Sequence, residues 1–175
     1  MAEDENMLTE LYHATAAYDA GDPMRIQHFT KVWTYARLIG LGEGLDEKTQ
    51  FILESAAIVH DIGIHKAESV YGSSAGKYQE ELGPDEARKL LGDLHYSNEI
   101  RDRVAFLVGH HHTYSGIDGA DWQILVEADF LVNLYEDGVD HDAAVSAYKN
   151  IFKTETGKKM WEAMYGSFYE KGGAA

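Results

Sequence analysis

The sequence predicts an all-α protein, and three observations carry the prediction. Helix-capping residues recur ahead of apolar-periodic stretches along most of the chain. No stretch alternates apolar and polar residues with the period of two that a half-buried strand needs. Hydrophobic residues make up 45% of the 175 positions and charged ones 26%, the balance of an ordinary folded protein rather than a disordered one.

The elements follow in order. Asp22 and Pro23 open a long helix as N-cap and first helical residue, because proline's missing N–H costs nothing there and its φ is already helical. That helix runs from about Pro23 to Leu41 and ends at Gly42 and Gly44. Asp46 caps the next one. It carries Phe51-Ile52-Leu53-Glu54-Ser55-Ala56-Ala57-Ile58-Val59, apolar on nearly every face, and so reads as a buried helix. Residues 64–83 form the least regular stretch, with Gly and Ser at its centre. They read as a loop, and one that long in a compact domain is usually functional or mobile. Gly83-Pro84 opens another helix, Ser97 caps the one through Val108, Asp121 caps the one starting at Trp122, and Asp140 caps the one starting at His141. Trp33, Tyr35, Trp122 and Tyr135 read as core aromatics. A last helical stretch from Thr156 gives way to a frayed tail over 171–175. The chain thus reads as one domain over 1–175, a bundle of about six to eight helices. Its core covers about 23–137 and its C-terminal helices about 140–170.

Charge excludes some functions. Fifteen Lys and Arg stand against 30 Asp and Glu, a net charge of −15, which argues against a basic surface for nucleic-acid phosphates. No apolar run approaches the roughly 20 residues that span a bilayer. The N-terminus, MAEDENM, is acidic where a secretory signal is basic, so a cytoplasmic location is expected. There is no Cys, which leaves any metal to His, carboxylate and water.

Two places break the hydrophobic logic. The buried helix ends in His60-Asp61, and Asp129 lies inside Ile124-Leu125-Val126-Glu127-Ala128-Asp129-Phe130-Leu131-Val132. A carboxylate buried without a partner costs several kcal/mol, so it normally pairs with a cation or binds a metal. His28 lies toward the apolar face of the helix opened by Pro23, on a row with Val32 and Tyr35. Two His and two Asp make a nitrogen and oxygen set suited to Mn, Fe, Co, Ni or Mg, with positions left for water and substrate. The bland readings are a satisfied core histidine for His28, a helix-end His–Asp hydrogen bond for His60 and Asp61, and an acid paired with Lys or Arg for Asp129.

The order His28, His60-Asp61, Asp129 resembles the HD superfamily of metal-dependent phosphohydrolases: a lone His, a consecutive His-Asp ending a buried helix, and a distant Asp. The resemblance covers about Pro23 to Asp137 and implies a helical HD-type domain with His28, His60, Asp61 and Asp129 as metal ligands. A second dipeptide, His141-Asp142, stands at a helix start and is not part of the pattern. His110-His111-His112 ends the helix through Val108. In relatives with two metals, paired histidines there hold the second ion, and His111-His112 is the better match. The alternative for this pair is a favourable interaction with the helix dipole. HD-GYP relatives carry a further ligating His, a Lys and a Glu where this chain has Gly83, Ile64 and Met24. One well-held metal with a partial second site is therefore expected.

The implied activity is hydrolysis of a phosphate ester, of a nucleotide or related small metabolite, by metal-activated water. Asp61 is expected to orient the water, and His111 or His112 to stabilise the phosphoryl charge or protonate the leaving oxygen. His65 and Lys66, just past the motif, and Lys77, in Gly72-Ser73-Ser74-Ala75-Gly76-Lys77, are candidate substrate-binding cations. The alternatives are a catalytically silent metal- or nucleotide-binding module and a di-iron oxygenase, which needs a complete second site. The expected partner is a small phosphorylated substrate, with neither a nucleic-acid polymer nor a membrane. A homodimer through Met160, Trp161, Met164, Tyr165 and Phe168 is a further expectation.

Overall fold

The chain is arranged around one helix that, beyond its first turn, has no solvent face. In the computed structural model, which describes residues 2–167 with side chains from Asp4 onward, every residue from Gln50 to His60 is buried. The described residues form nine helices and no strand: α1 (Ala2–Tyr18), α2 (Pro23–Glu43), α3 (Glu47–Val59), α4 (Ile64–Tyr71), α5 (Gly76–Asp93), α6 (Asn98–Val108), α7 (Ala120–Glu136), α8 (His141–Asn150) and α9 (Glu155–Tyr165). The fold is all-α, as the capping pattern predicts. α3 packs against α1, α2, α6 and α7, while α2 and α7 pack closely on each other. The two apolar helices α3 and α7 contribute more buried apolar residues than any other helix, and their polar residues are delivered into the core.

Capping fixes the starts of these helices. Asp22 accepts from the Arg25 N–H with Pro23 in the first turn, Asp46 from Thr49, Ser97 from Ile100 and Asp140 from Ala143. Asp121 does not cap α7. Gly119 holds that position, and Asp121 is drawn instead into a half-buried pair with Arg103, whose guanidinium donates to both its oxygens at 2.7 and 2.8 Å.

The stretch 64–83 is not a loop. It holds α4 and the first turns of α5, joined by residues 72–75. Pro84 accordingly lies inside α5 rather than at its start. α1 is a second addition to the helices legible in the sequence. Tyr135 is 64% exposed, so it is not a core aromatic. Trp161 and Tyr165 turn inward: Tyr165 donates to the Leu131 carbonyl at 2.6 Å, and Trp161 packs on Tyr148 with ring centroids 4.5 Å apart. Phe168 and the expected frayed tail at 171–175 lie outside the described residues.

Candidate metal centre

Four elements deliver the polar cluster. His28 sits in the second turn of α2, and His60 is the residue on which α3 closes. Asp61 begins the turn into α4, and Asp129 lies midway along α7. His60 is fully buried and Asp129 is 3% exposed, because each follows an apolar helix into the core.

The four converge on one point. His28 Nε2 lies 3.2 Å from His60 Nε2, 3.2 Å from Asp129 Oδ1 and 3.4 Å from Asp61 Oδ2. His60 Nε2 lies 3.4 Å from Asp61 Oδ2 and 3.6 Å from Asp129 Oδ1. The outer nitrogens set the tautomers. His60 Nδ1 donates to the Ala57 carbonyl at 2.9 Å, and His28 Nδ1 to Glu136 Oε2 at 2.8 Å. The inner Nε2 atoms are thereby left to face each other and two carboxylate oxygens. Lone pairs so arranged repel unless a positive charge lies among them, so the donor set fits a divalent cation.

Without a cation a proton fills that role. Burial works against charge on His28, but its hydrogen bond to Asp129 and the charges of Asp61 and Asp129 outweigh this and lift its pKa to about 9. Burial likewise opposes ionisation of Asp61, yet His60, His111 and His28 hold its carboxyl well below the usual range. The carboxyl of Asp129 is held low in the same way, against burial, by His28 and His60.

A second group shares Asp61. Its other oxygen, Oδ1, lies 3.4 Å from His111 Nε2, and ligand atoms of Asp61, His111 and His112 all lie within 4.8 Å of one another. His111 donates its Nδ1–H to the Val108 carbonyl at 2.7 Å, which aims Nε2 inward. The Nε2 atoms of His111 and His112 are both buried without a hydrogen-bond partner. Burial, and then the neighbouring His111, push His112 down to about 4, which keeps it neutral and able to act as a ligand. His111 is raised despite burial, through Asp61. Orphaned buried donors beside a carboxylate are the signature expected of a cation position.

Of the residues named from sequence, the structure brings His28, His60, Asp61, Asp129, His111 and His112 together. His65, Lys66 and Lys77 have partners outside this cluster, while Gly76, beside Lys77, packs on the His112 ring. His65 is bound by Asp19 at 2.9 Å and Arg25 at 2.8 Å, Lys66 by Glu86 at 2.6 Å, and Lys77 lies over the Tyr78 ring. His141 and Asp142 stand exposed at the start of α8, away from the pattern. Gly83 faces Gly63 and Val108, with no room for an imidazole.

Four neighbours of the centre escaped the sequence reading. Glu136 holds His28, and Asn133 donates to Asp129 Oδ1 at 2.9 Å from one turn further along α7. Glu80 on α5 accepts from the His112 N–H and the Thr113 hydroxyl, both at 3.0 Å, and so pins the turn that carries His112. Tyr114 packs edge-on against Phe130, and its hydroxyl is raised by burial and then by the charges of Asp129 and Glu80. One signal was available: Asn133 and Glu136 lie four and seven residues after Asp129, on the same helical row.

The chain matches a known family. The HD domain model matches residues 25–145, and the chain belongs to that family. The crystal structure of a predicted HD superfamily hydrolase from an uncultured Thermotogales bacterium superposes with a TM-score of 0.61 at 25% identity. The match covers 98% of this chain and 88% of that one. Comparison with curated proteins finds no match. No helix among the described residues is long and apolar enough to cross a membrane.

Proposed function

We propose that this protein is a cytoplasmic metal-dependent phosphohydrolase. Its substrate is a small phosphate ester, a nucleotide or related metabolite, rather than a nucleic-acid polymer or a membrane lipid. One observation carries the reading: two groups of inward-facing imidazoles share Asp61, whose oxygens are 3.4 Å from histidines on either side. Family membership and the neighbouring HD superfamily hydrolase support it.

His28, His60, Asp61 and Asp129 would hold the first divalent cation, with Mn, Fe, Co, Ni and Mg all compatible with the donors. Asp61, His111 and His112 would hold a second. A divalent cation here supplies a Lewis acid that acidifies water and polarises a phosphoryl oxygen. The remaining work belongs to the side chains. Asp61 stays ionised and, at 22% exposure, is the most accessible of the first four, so it can accept a hydrogen bond from incoming water. With the second position empty, Asp61 favours the protonated form of His111, the form that would stabilise phosphoryl charge or protonate a leaving oxygen. Burial of the centre keeps these charges from being screened.

A second reading, a binding module without turnover, draws on the engagement of His65, Lys66 and Lys77 by Asp19, Glu86 and Tyr78. Phosphate release from nucleotides and small phosphate esters, with each metal added, separates the two. Turnover that needs metal and vanishes in Asp61→Ala at matched folding is expected. Metal binding with no release from any ester would favour the silent module.

A further inference from the structure

We infer that Glu136, itself held by Lys31, is a positioning residue that sets how tightly the first cation binds; this rests on the reading of His28, His60, Asp61 and Asp129 as a cation site. His28 is clasped between two carboxylates of one helix. Its Nε2 lies 3.2 Å from Asp129 and its Nδ1 lies 2.8 Å from Glu136. These acids are seven residues apart on α7, which at about 100° per residue returns the side chain to within about 20° of the same face. Lys31, one turn after His28 on α2, contacts the second oxygen of Glu136. The four side chains form a continuous row between α2 and α7, from Asp129 through His28 and Glu136 to Lys31.

The histidines of the centre differ in what holds their outer nitrogen. His60 and His111 donate Nδ1–H to backbone carbonyls of Ala57 and Val108, neutral partners that no side-chain change alters. His28 donates to a charged carboxylate. An ionised acceptor fixes the tautomer, locks the ring against rotation and makes Nε2 a stronger donor to a cation. Lys31 opposes part of that effect by withdrawing charge from the same carboxylate. Glu136 is 30% exposed, so it can be substituted without opening the core.

The test is Mn²⁺ binding, followed by calorimetry and by the spin-resonance signal of free Mn²⁺, alongside melting of the metal-free proteins. Glu136→Ala should weaken the tighter of the Mn²⁺ affinities by about ten- to a hundredfold. Glu136→Gln keeps an acceptor for Nδ1–H and should recover part of the loss. Lys31→Met, which leaves the carboxylate charged, should bind at least as tightly as the parent. Affinity unchanged in Glu136→Ala overturns the inference. So does an equal loss in both Glu136 variants accompanied by an equal fall in metal-free melting, because Glu136 would then only fasten α7 to α2. A parent protein that binds no Mn²⁺ defeats the metal reading itself, an outcome distinct from the other two.

Discussion

Asp61 presents one carboxylate oxygen to each group of histidines: Oδ2 lies 3.4 Å from His28 and His60, and Oδ1 lies 3.4 Å from His111. Any ion in either position depends on it, whereas His112 belongs to the second position alone. At saturating Mn²⁺ the parent is expected to bind one ion tightly and a second more weakly. His112→Ala should keep the first and lose the second, while Asp61→Ala should retain neither with high affinity. Equilibrium dialysis with metal analysis reads both numbers, and a His112→Ala protein that still holds two ions would remove the second position. His60, Asp61 and Asp129 are legible in sequence because a charged or imidazole side chain inside or ending an apolar run is costly and demands a partner, whereas His111 and His112 are named only through the family resemblance. Glu127 shows the limit of that logic. It lies in the same run as Asp129 and is fully buried, yet its partners are the Lys153 and Thr154 N–H groups and the Thr154 hydroxyl at the start of α9. Which buried acid caps a helix and which meets the histidines is decided by tertiary placement.

The turn carrying Asp61 is held against α5 by two glycines. A Cβ on Gly63 would come within 2.9 Å of the Gln79 carbonyl oxygen and of the Gly83 Cα and nitrogen, all backbone atoms that cannot step aside. A Cβ on Gly83 would be crowded only by a methyl of Val108, at 2.8 Å, with the Gly63 backbone at an ordinary 3.7 Å. Gly63→Ala should therefore destabilise the protein by about 1–3 kcal/mol, and more than Gly83→Ala does. Because Asp61 moves with that turn, Gly63→Ala should also weaken metal binding. Urea unfolding with a parallel Mn²⁺ titration measures both, and equal stability of the two variants would show that the contact is not tight. The same helices explain what the sequence hid. α4 is eight residues long and has no side-chain cap, so only its backbone marks it. α5 passes through Pro84, which removes one N–H bond yet does not end a helix packed along α4 and α6. α1 has no proline or glycine to punctuate it. Helices opened by Asp, Ser or Asp-Pro were readable at once, because the cap is local chemistry, whereas α4 and α5 owe their extent to what they touch.

For the whole molecule, the cation and the proton on His28 compete for one place, and this ties stability to pH. In the metal-free protein the folded pKa of His28 is raised to about 9 from an ordinary 6.5. A raised pKa stabilises the fold fully below the unfolded value, and the contribution is lost as pH climbs through the folded one. The interval corresponds to roughly 3 kcal/mol. Asp61 and Asp129, held low, act in the opposite sense: their contributions are present above the ordinary carboxylate range and are lost only as pH falls below it. Between pH 6.5 and 9 the carboxylates are therefore constant, and His28 alone among these groups withdraws support. A bound divalent cation has already displaced that proton, so His28 in the loaded protein has nothing to lose over the same interval. Saturation at a hundred times the dissociation constant adds about 2.7 kcal/mol, worth about 5–10 °C in a chain of this size. The gap in melting temperature between Mn²⁺-loaded and EDTA-treated protein should accordingly widen from pH 6.5 to 9. His28→Asn should flatten that trend, since its side chain carries no proton for the cation to displace. A gap of the same width at both ends of the range in the parent would place the proton, and with it the cation, elsewhere than at His28.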